Sequence, residues 1–189
     1  MARTNIISEY LGLLRADLER QFVLQGRTHK HAGLLQLLTH CLHPRFLPLI
    51  LCRLSRASFL LGIPLLPFIF SYLNLILFGL QITPRCEIGG GLFLPHPSGV
   101  VVGSWRIGVN VTLFQQVTLG AREIDMNFNS ELLPEICDNV TIGAGARVLG
   151  RIRLGENVTV GANAVVLSSV EPNSTVVGIP ARKIPLSGL

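Results

Sequence analysis

Residues 136–166 carry the sequence ICDNVTIGAGARVLGRIRLGENVTVGANAVV, in which an aliphatic residue occurs at every sixth position. These residues are Ile136, Ile142, Val148, Leu154, Val160 and Val166. A period of six differs from the 3.6 of an α-helix and the 2 of a β-strand, and it is typical of a parallel β-helix built from hexapeptides. Segments 142–146 and 160–164 also resemble each other at a separation of 18, or three hexapeptides per triangular coil. The sequence therefore predicts a mainly β protein with this architecture.

The same count extends towards the N-terminus with two irregularities. Six-residue steps connect Ile82, Ile88 and Leu94, and also Val101, Ile107, Leu113 and Leu119. The step from Leu94 to Val101 is seven residues, and residues 120–135 interrupt the count with a polar stretch. Because insertions in repeat proteins gather on one face, we expect an excursion loop over 120–135 on a functional face.

Composition limits the class of protein. The chain has 189 residues, of which 49% are hydrophobic and 14% charged, enough apolar material for one or two packed units. Its four cysteines show no paired spacing, so we expect buried thiols in a reducing compartment and no disulfide framework or zinc site. Charged residues interrupt the first 20 positions, which argues against a signal peptide. A cytoplasmic location is the expectation.

The first 79 residues predict an α-helical N-terminal domain. An amphipathic helix is expected over 5–25, with a stripe formed by Ile7, Tyr10, Leu14, Leu18 and Phe22. A second helix should end near Pro44, and a third should run to about Ser58.

An uncharged stretch follows, from Ala57 to Pro84, and residues 59–80 are almost wholly apolar. Three interpretations remain open: a helix buried between subunits, a helix lying on the inner membrane surface, and a transmembrane span. In the second, Arg45, Arg53 and Arg56 would contact lipid headgroups.

The net charge of +5 resides in this N-terminal segment. Residues 1–79 hold eight Lys and Arg against three acidic residues, whereas residues 80–189 hold eight of each. The segment lacks interleaved aromatic residues and any nucleic-acid-binding motif, so it predicts an anionic membrane surface as partner and not nucleic acid.

His96 lies where the count slips, in the segment LPHPSGV at 94–100. A neutral imidazole suits proton abstraction from an alcohol. A surface histidine at a bend is the alternative, but the position on a register break favours a functional role. His96 is also the one histidine of residues 80–189, so this region lacks the three histidines of a metal hydrolase, and no metal is expected.

Residues from about 43 to 184 resemble the serine acetyltransferase branch of the hexapeptide-repeat acyltransferases. The matching runs are FGLQI at 78–82, LPHPSGVVVG at 94–103, VTLG at 117–120, IGAGARVLG at 142–150 and GIPAR at 178–182. The resemblance implies a left-handed β-helix over 80–189 with a tail from 171, preceded by the helical domain. It also implies homotrimers, which can pair into hexamers, and acetyl-CoA bound between subunits.

The resemblance further implies site residues. His96 would be the general base, and Gln81 would orient its imidazole. Acetyl-CoA would be bound by Gly120, Ala144, Gly145, Ala162, Asn163, Arg147, Arg182 and Lys183. The candidates for acceptor binding are Ser98, Ser104, Glu123 and Asp125.

Several departures from the branch concern recognition of the acceptor. Pro95 and Gln81 stand where aspartates are expected, and Ser104 replaces a glutamate. The excursion loop lacks the usual glycines and Arg-His pair. These differences favour a resemblance to O-acetyltransferases of exopolysaccharide pathways, including the colanic acid type, and hence a sugar or lipid-linked glycan hydroxyl as acceptor. Serine O-acetyl transfer for cysteine synthesis is the alternative, and an inactive β-helix scaffold is a third possibility.

Overall fold

Four α-helices precede the first strand. The structure, a computed structural model, describes residues 3–27, 32–124 and 127–185. The helices are α1 (Arg3–Leu24), α2 (Leu34–His40), α3 (Leu47–Leu60) and α4 (Leu66–Phe78). The expected helical N-terminal region is therefore confirmed, and we call it the helical region. Its treatment as a domain separate from residues 80–189 stays a prediction.

The rest of the described chain, which we call the coil region, consists of short strands in three sheets. Sheet 1 contains β1 (Gln81–Ile82), β3 (Val101–Val102), β6 (Thr118–Gly120), β9 (Arg147–Leu149) and β12 (Val165–Val166). Sheet 2 contains β2 (Glu87–Ile88), β4 (Arg106–Ile107), β7 (Glu135–Ile136) and β10 (Arg153–Leu154). Sheet 3 contains β5 (Thr112–Leu113), β8 (Thr141–Ile142), β11 (Thr159–Val160), β13 (Thr175–Val177) and β14 (Arg182–Ile184).

The strands pair in the way the six-residue count predicts. Val148 pairs in parallel with Val166, and Ile142 with Val160, each 18 residues apart. The chain visits the three sheets in rotation from β7 through β12, so aliphatic residues of successive coils stack inside. Among the strands of the described ranges, only β14 pairs antiparallel, with β13. The left-handed sense of the coil stays a prediction carried by the family.

The structure corrects the register at one strand. Val102 points inward and is 2% exposed, whereas Val101 lies on the outer face at 37%. The inward residues Leu94 and Val102 are therefore eight positions apart, and the following step to Ile107 is five. The expectation that Val101 carries the repeat was wrong because two adjacent valines fit either register in the sequence. The insertion around His96 is consequently longer than predicted.

The apolar stripe of α1 also differs from its prediction. Leu18 and Phe22 are buried as expected, but Ile7 is 55% exposed and Ile6 is buried in its place. The buried face of α1 includes Asp17, which rotates it away from the stripe that hydropathy alone selects.

An ion pair buried between α1, α3 and the coil region explains this rotation. Arg53 donates through Nε and Nη2 to the Asp17 carboxylate, both at 3.0 Å. Its guanidinium also donates to the carbonyls of Ile88 and Gly89, and Asp17 accepts from the Leu92 amide. Burial alone would lower the pKa of Arg53, but the Asp17 carboxylate more than offsets that effect and the net direction is upward. These bonds join the helices to the first coil.

The uncharged stretch forms α4 and the turn before it. α4 has 13 residues, and within the described ranges no helix is both long and apolar enough to cross a bilayer. The transmembrane interpretation of 59–80 therefore has no helix to support it. Most side chains of α4 are exposed.

Candidate active site

His96 lies on an exposed irregular corner before β3. Two hydrogen bonds fix the end of this corner. The Gly99 amide donates to Gly79, which ends α4 with a left-handed backbone, and the Gln116 amide donates to Ser98. Gly99 itself has φ of +71°, which suits glycine. The corner is thus held between α4 and the next coil, while the imidazole forms no hydrogen bond or ion pair with the described residues.

The corner opens a column of stacked turns between sheets 3 and 1, which we call the turn column. Its members are Ser98–Gly99, Gln115–Gln116, Ala144–Gly145 and Ala162–Asn163. Amide-to-carbonyl bonds of 2.8–3.0 Å connect each turn to the next. The structure therefore brings His96 onto one edge of the coil with four of the predicted acetyl-CoA residues, Ala144, Gly145, Ala162 and Asn163.

The GIPAR segment at 178–182 continues this edge. The Val165 amide donates to Gly178, and the Ala181 amide donates back to Val165 at 2.8 Å. Arg182 and Lys183 follow in β14 with exposed side chains. Two cations thus lie at the far end of the turn column from His96, where the phosphates of a long ligand could be bound.

Arg147 has a different environment from Arg182. Its guanidinium donates to the carbonyl of Gln116 and, at 2.8 Å, to that of Gly145. These carbonyls belong to two successive turns of the column. The structure therefore gives Arg147 a role in holding the turns together, and its contact with phosphate stays a prediction.

A groove of about 490 Å³ lies on the outer face of sheet 1, between α4 and the excursion loop. It brings together three predicted residues, Gln81, Gly120 and Glu123. The remaining lining is largely apolar and contains no Lys, Arg or His among the described residues; it includes Phe68, Val101, Phe128, Leu133 and Leu149. His96 is outside this lining, so a single chain does not place the base inside the groove.

The predicted hydrogen bond between Gln81 and His96 is not formed. Gln81 pairs through its backbone with the strand that follows the His96 corner, and its side chain is exposed. No bond joins the two side chains in this structure. The assignment of Gln81 as the orienting residue stays a prediction.

The four candidates for acceptor binding lie in different environments. Ser98 is exposed on the His96 corner, and Glu123 lines the groove. Ser104 is fully buried and its hydroxyl faces the carbonyls of Arg106 and Pro134, so we replace its predicted contact with the acceptor by a structural role. Asp125 lies outside the described residues.

Gln115 is a candidate that the sequence did not suggest. It lies in the turn column between Ser98 and Ala144, and its buried Oε1 has no hydrogen-bond partner among the described residues. An unpaired buried acceptor is costly unless a ligand supplies a donor. The signal was present: Gln115 follows the repeat residue Leu113 by two positions, as Ala144 follows Ile142 and Ala162 follows Val160.

Comparisons with known proteins agree with this arrangement. The family of bacterial transferase hexapeptide repeats (six repeats) matches residues 134–168. A serine acetyltransferase of Synechococcus elongatus is 39% identical over 148 residues, 78% of this chain and 59% of the relative. The crystal structure of Neisseria gonorrhoeae serine acetyltransferase in complex with serine has a TM-score of 0.77 and 31% identity, covering 93% of this chain and 69% of that one.

The chain belongs to the hexapeptide-repeat transferases, in the serine acetyltransferase branch. A serine acetyltransferase solved in complex with CoA is also similar, with a TM-score of 0.77 and 26% identity over 95% of this chain and 74% of that one. The chain spans under three fifths of the length of the Synechococcus elongatus relative and of a second curated serine acetyltransferase. The resemblance to colanic acid enzymes finds no support in these comparisons.

Proposed function

We propose that this hexapeptide-repeat protein is an acetyl-CoA-dependent O-acetyltransferase with L-serine as acceptor. The observation that carries the proposal is the turn column, which lies between the His96 corner and the cations Arg182 and Lys183. The names of its relatives favour serine over the sugar hydroxyl that the departures in sequence favoured.

The residues of this chain suit acetyl-CoA along the turn column. Alanine and glycine turns at 144–145 and 162 allow an extended chain to lie close to the backbone. Gln115 Oε1 would accept from an amide of the ligand, and the two cations of β14 would bind its phosphates. Bound there, the thioester supplies the acetyl group and releases CoA as a thiol.

His96 would remove the proton from the acceptor hydroxyl as its oxygen forms the new ester bond. The exposed position, and the lack of a hydrogen-bond partner among the residues that the structure describes, leave its imidazole free for this task. In a homotrimer, which the resemblance implies, the groove of one chain and the His96 corner of its neighbour would share the acceptor site.

A glycan hydroxyl is the second candidate acceptor, because the described lining of the groove offers no cation to the carboxylate of serine. Gln81 is also uncharged at the position that should orient the base. An uncharged partner stabilises an imidazolium less than a carboxylate does.

The test is release of CoA, measured with a thiol-reactive dye, from the purified protein with L-serine and then with sugar acceptors. We expect release with serine, a loss of at least about 100-fold for His96→Ala, and an unchanged rate for His43→Ala, whose histidine is also exposed. Release with sugars alone would replace serine as acceptor. No binding of CoA and no release with any acceptor would favour a scaffold, and full activity of His96→Ala would overturn the mechanism.

A further inference from the structure

The helical hairpin of α3, α4 and their connecting turn (residues 47–78) buries polar groups between its two helices. Its polar groups point inward: Ser55 Oγ donates to the Pro67 carbonyl at 2.8 Å and lies 3.0 Å from Ser71 Oγ. Near the other end, Asn74 Nδ2 donates to the Pro48 carbonyl. A helix of a water-soluble protein normally buries its apolar side and exposes its polar side. In this hairpin α3 buries Leu49 and Cys52 in the core, but α4 does the reverse.

The outer face of α4 is apolar and unpartnered within the described chain. Its members Phe68, Ile69, Tyr72, Ile76 and Leu77 are 51–76% exposed. Leu65, in the turn that joins the helices, is 72% exposed. A continuous apolar surface of this kind marks an interaction site. Small and hydroxyl residues between helices with apolar residues outside are the arrangement found in lipid.

The charges around the hairpin indicate which partner covers it. No acidic residue occurs from 20 to 86, although this stretch contains seven Lys and Arg, of which Arg53 is neutralised by Asp17. Arg56 donates to the carbonyls of Pro84 and Arg85, and its guanidinium lies 5.8 Å from the ring centroid of Phe59, which is itself exposed. A cation beside exposed apolar groups suits the boundary between lipid phosphates and acyl chains.

The length of the hairpin limits how it can meet a bilayer. Thirteen helical residues extend about 20 Å, less than the roughly 30 Å of the hydrocarbon core. We propose that the outer face of α4 and the turn at 61–65 dock onto an anionic membrane surface and enter one leaflet. This placement is independent of the acceptor proposed above.

Flotation of the full-length protein with vesicles tests this docking. We expect the wild type to float with phosphatidylcholine vesicles, and more strongly when phosphatidylglycerol replaces part of the lipid. Ile76→Lys and Tyr72→Lys should each weaken binding by about tenfold or more, because each removes the burial of one large side chain. Val109→Lys, at a residue 45% exposed in the coil region, is the matched control and should float like the wild type.

Thermal unfolding and light scattering without lipid accompany the assay, so that a misfolded variant is recognised. A wild type that stays at the bottom with both vesicle types overturns the proposal. So do α4 variants that float as well as the control. If the wild type does not float and Ile76→Lys lowers the oligomeric state, the apolar face is instead an interface between copies of this chain.

Discussion

The coil region and helix α4 use apolar residues in opposite ways. In the coil region, aliphatic side chains at six-residue intervals point inward and are almost fully buried. In the hairpin, serine and asparagine point inward and the apolar side chains of α4 point out. Apolar side chains of one chain therefore occupy two different environments. The direction of the side chains, set by repeat geometry or by helix pairing, decides what an apolar sequence does.

The largest effect is expected from removing the ion pair that joins the two regions. Asp17→Ala leaves the Arg53 guanidinium buried without its carboxylate, so we expect the free energy of unfolding to fall by about 3–5 kcal/mol. Urea denaturation measures the change. Glu131→Ala removes the exposed partner of Arg151 and should cost less than about 1 kcal/mol. Equal losses would mean that the regions are not joined by this pair.

Truncations of apolar side chains compare the regions directly. Leu119 is fully buried in the coil, so Leu119→Ala should lower the free energy of unfolding by about 2–5 kcal/mol through lost burial and a cavity. Leu77 of α4 is 59% exposed, and Leu77→Ala should stay within about 0.5 kcal/mol of the wild type. A large loss for Leu77→Ala in lipid-free buffer would show that the face of α4 is already covered.

The coil was predictable because its rule is local. Each hexapeptide must place one aliphatic residue inside, so the six-residue spacing alone predicts that Ile142, Val148 and Val160 are buried. The insertion at 120–135 was predictable because the six-residue spacing of aliphatic residues is interrupted there, and the strands resume at Glu135. Val101 was misplaced because its neighbour Val102 is equally suitable.

The remaining features depend on contacts between distant residues. Asp17 is buried because Arg53, 36 positions later, meets it, and no local pattern records that pairing. The turn column was predicted residue by residue from the family, but its continuity with the His96 corner required the stacking of the coils. The expected Gln81–His96 bond could not be judged from the sequence, since it depends on side-chain directions at a corner with inserted residues.

The thiols at the junction between the regions should make the free energy of unfolding depend on pH. Burial raises the pKa of the Cys52 thiol from 9.0 to about 11, and that of nearby Cys86 is raised as well. Below pH 9 Cys52 is protonated in both the folded and the unfolded state, so its stabilising effect is fully present. Between pH 9 and 11 the unfolded thiol ionises first, and the free energy of unfolding should fall by about 2 kcal/mol.

Urea midpoints at pH 8 and 10.5 check this effect. Cys52→Ala should show a smaller fall between the two values than the wild type. Cys137→Ala, which removes a half-buried thiol from the coil region, should keep the wild-type slope. Parallel slopes for Cys52→Ala and the wild type would show that Cys52 is accessible to water.

The smallest expected change distinguishes a structural role from a ligand-binding role for arginines along the turn column. Arg147 bonds the carbonyls of two successive turns, so Arg147→Gln should lower the free energy of unfolding by about 1–2 kcal/mol. Because those bonds occupy its guanidinium, the KM for acetyl-CoA should change little. Arg182 is exposed at the end of the column, and Arg182→Ala should raise that KM without lowering stability. If Arg147→Gln raises the KM as much as Arg182→Ala does, the guanidinium must leave its carbonyls to bind phosphate, and the column rearranges when it is loaded.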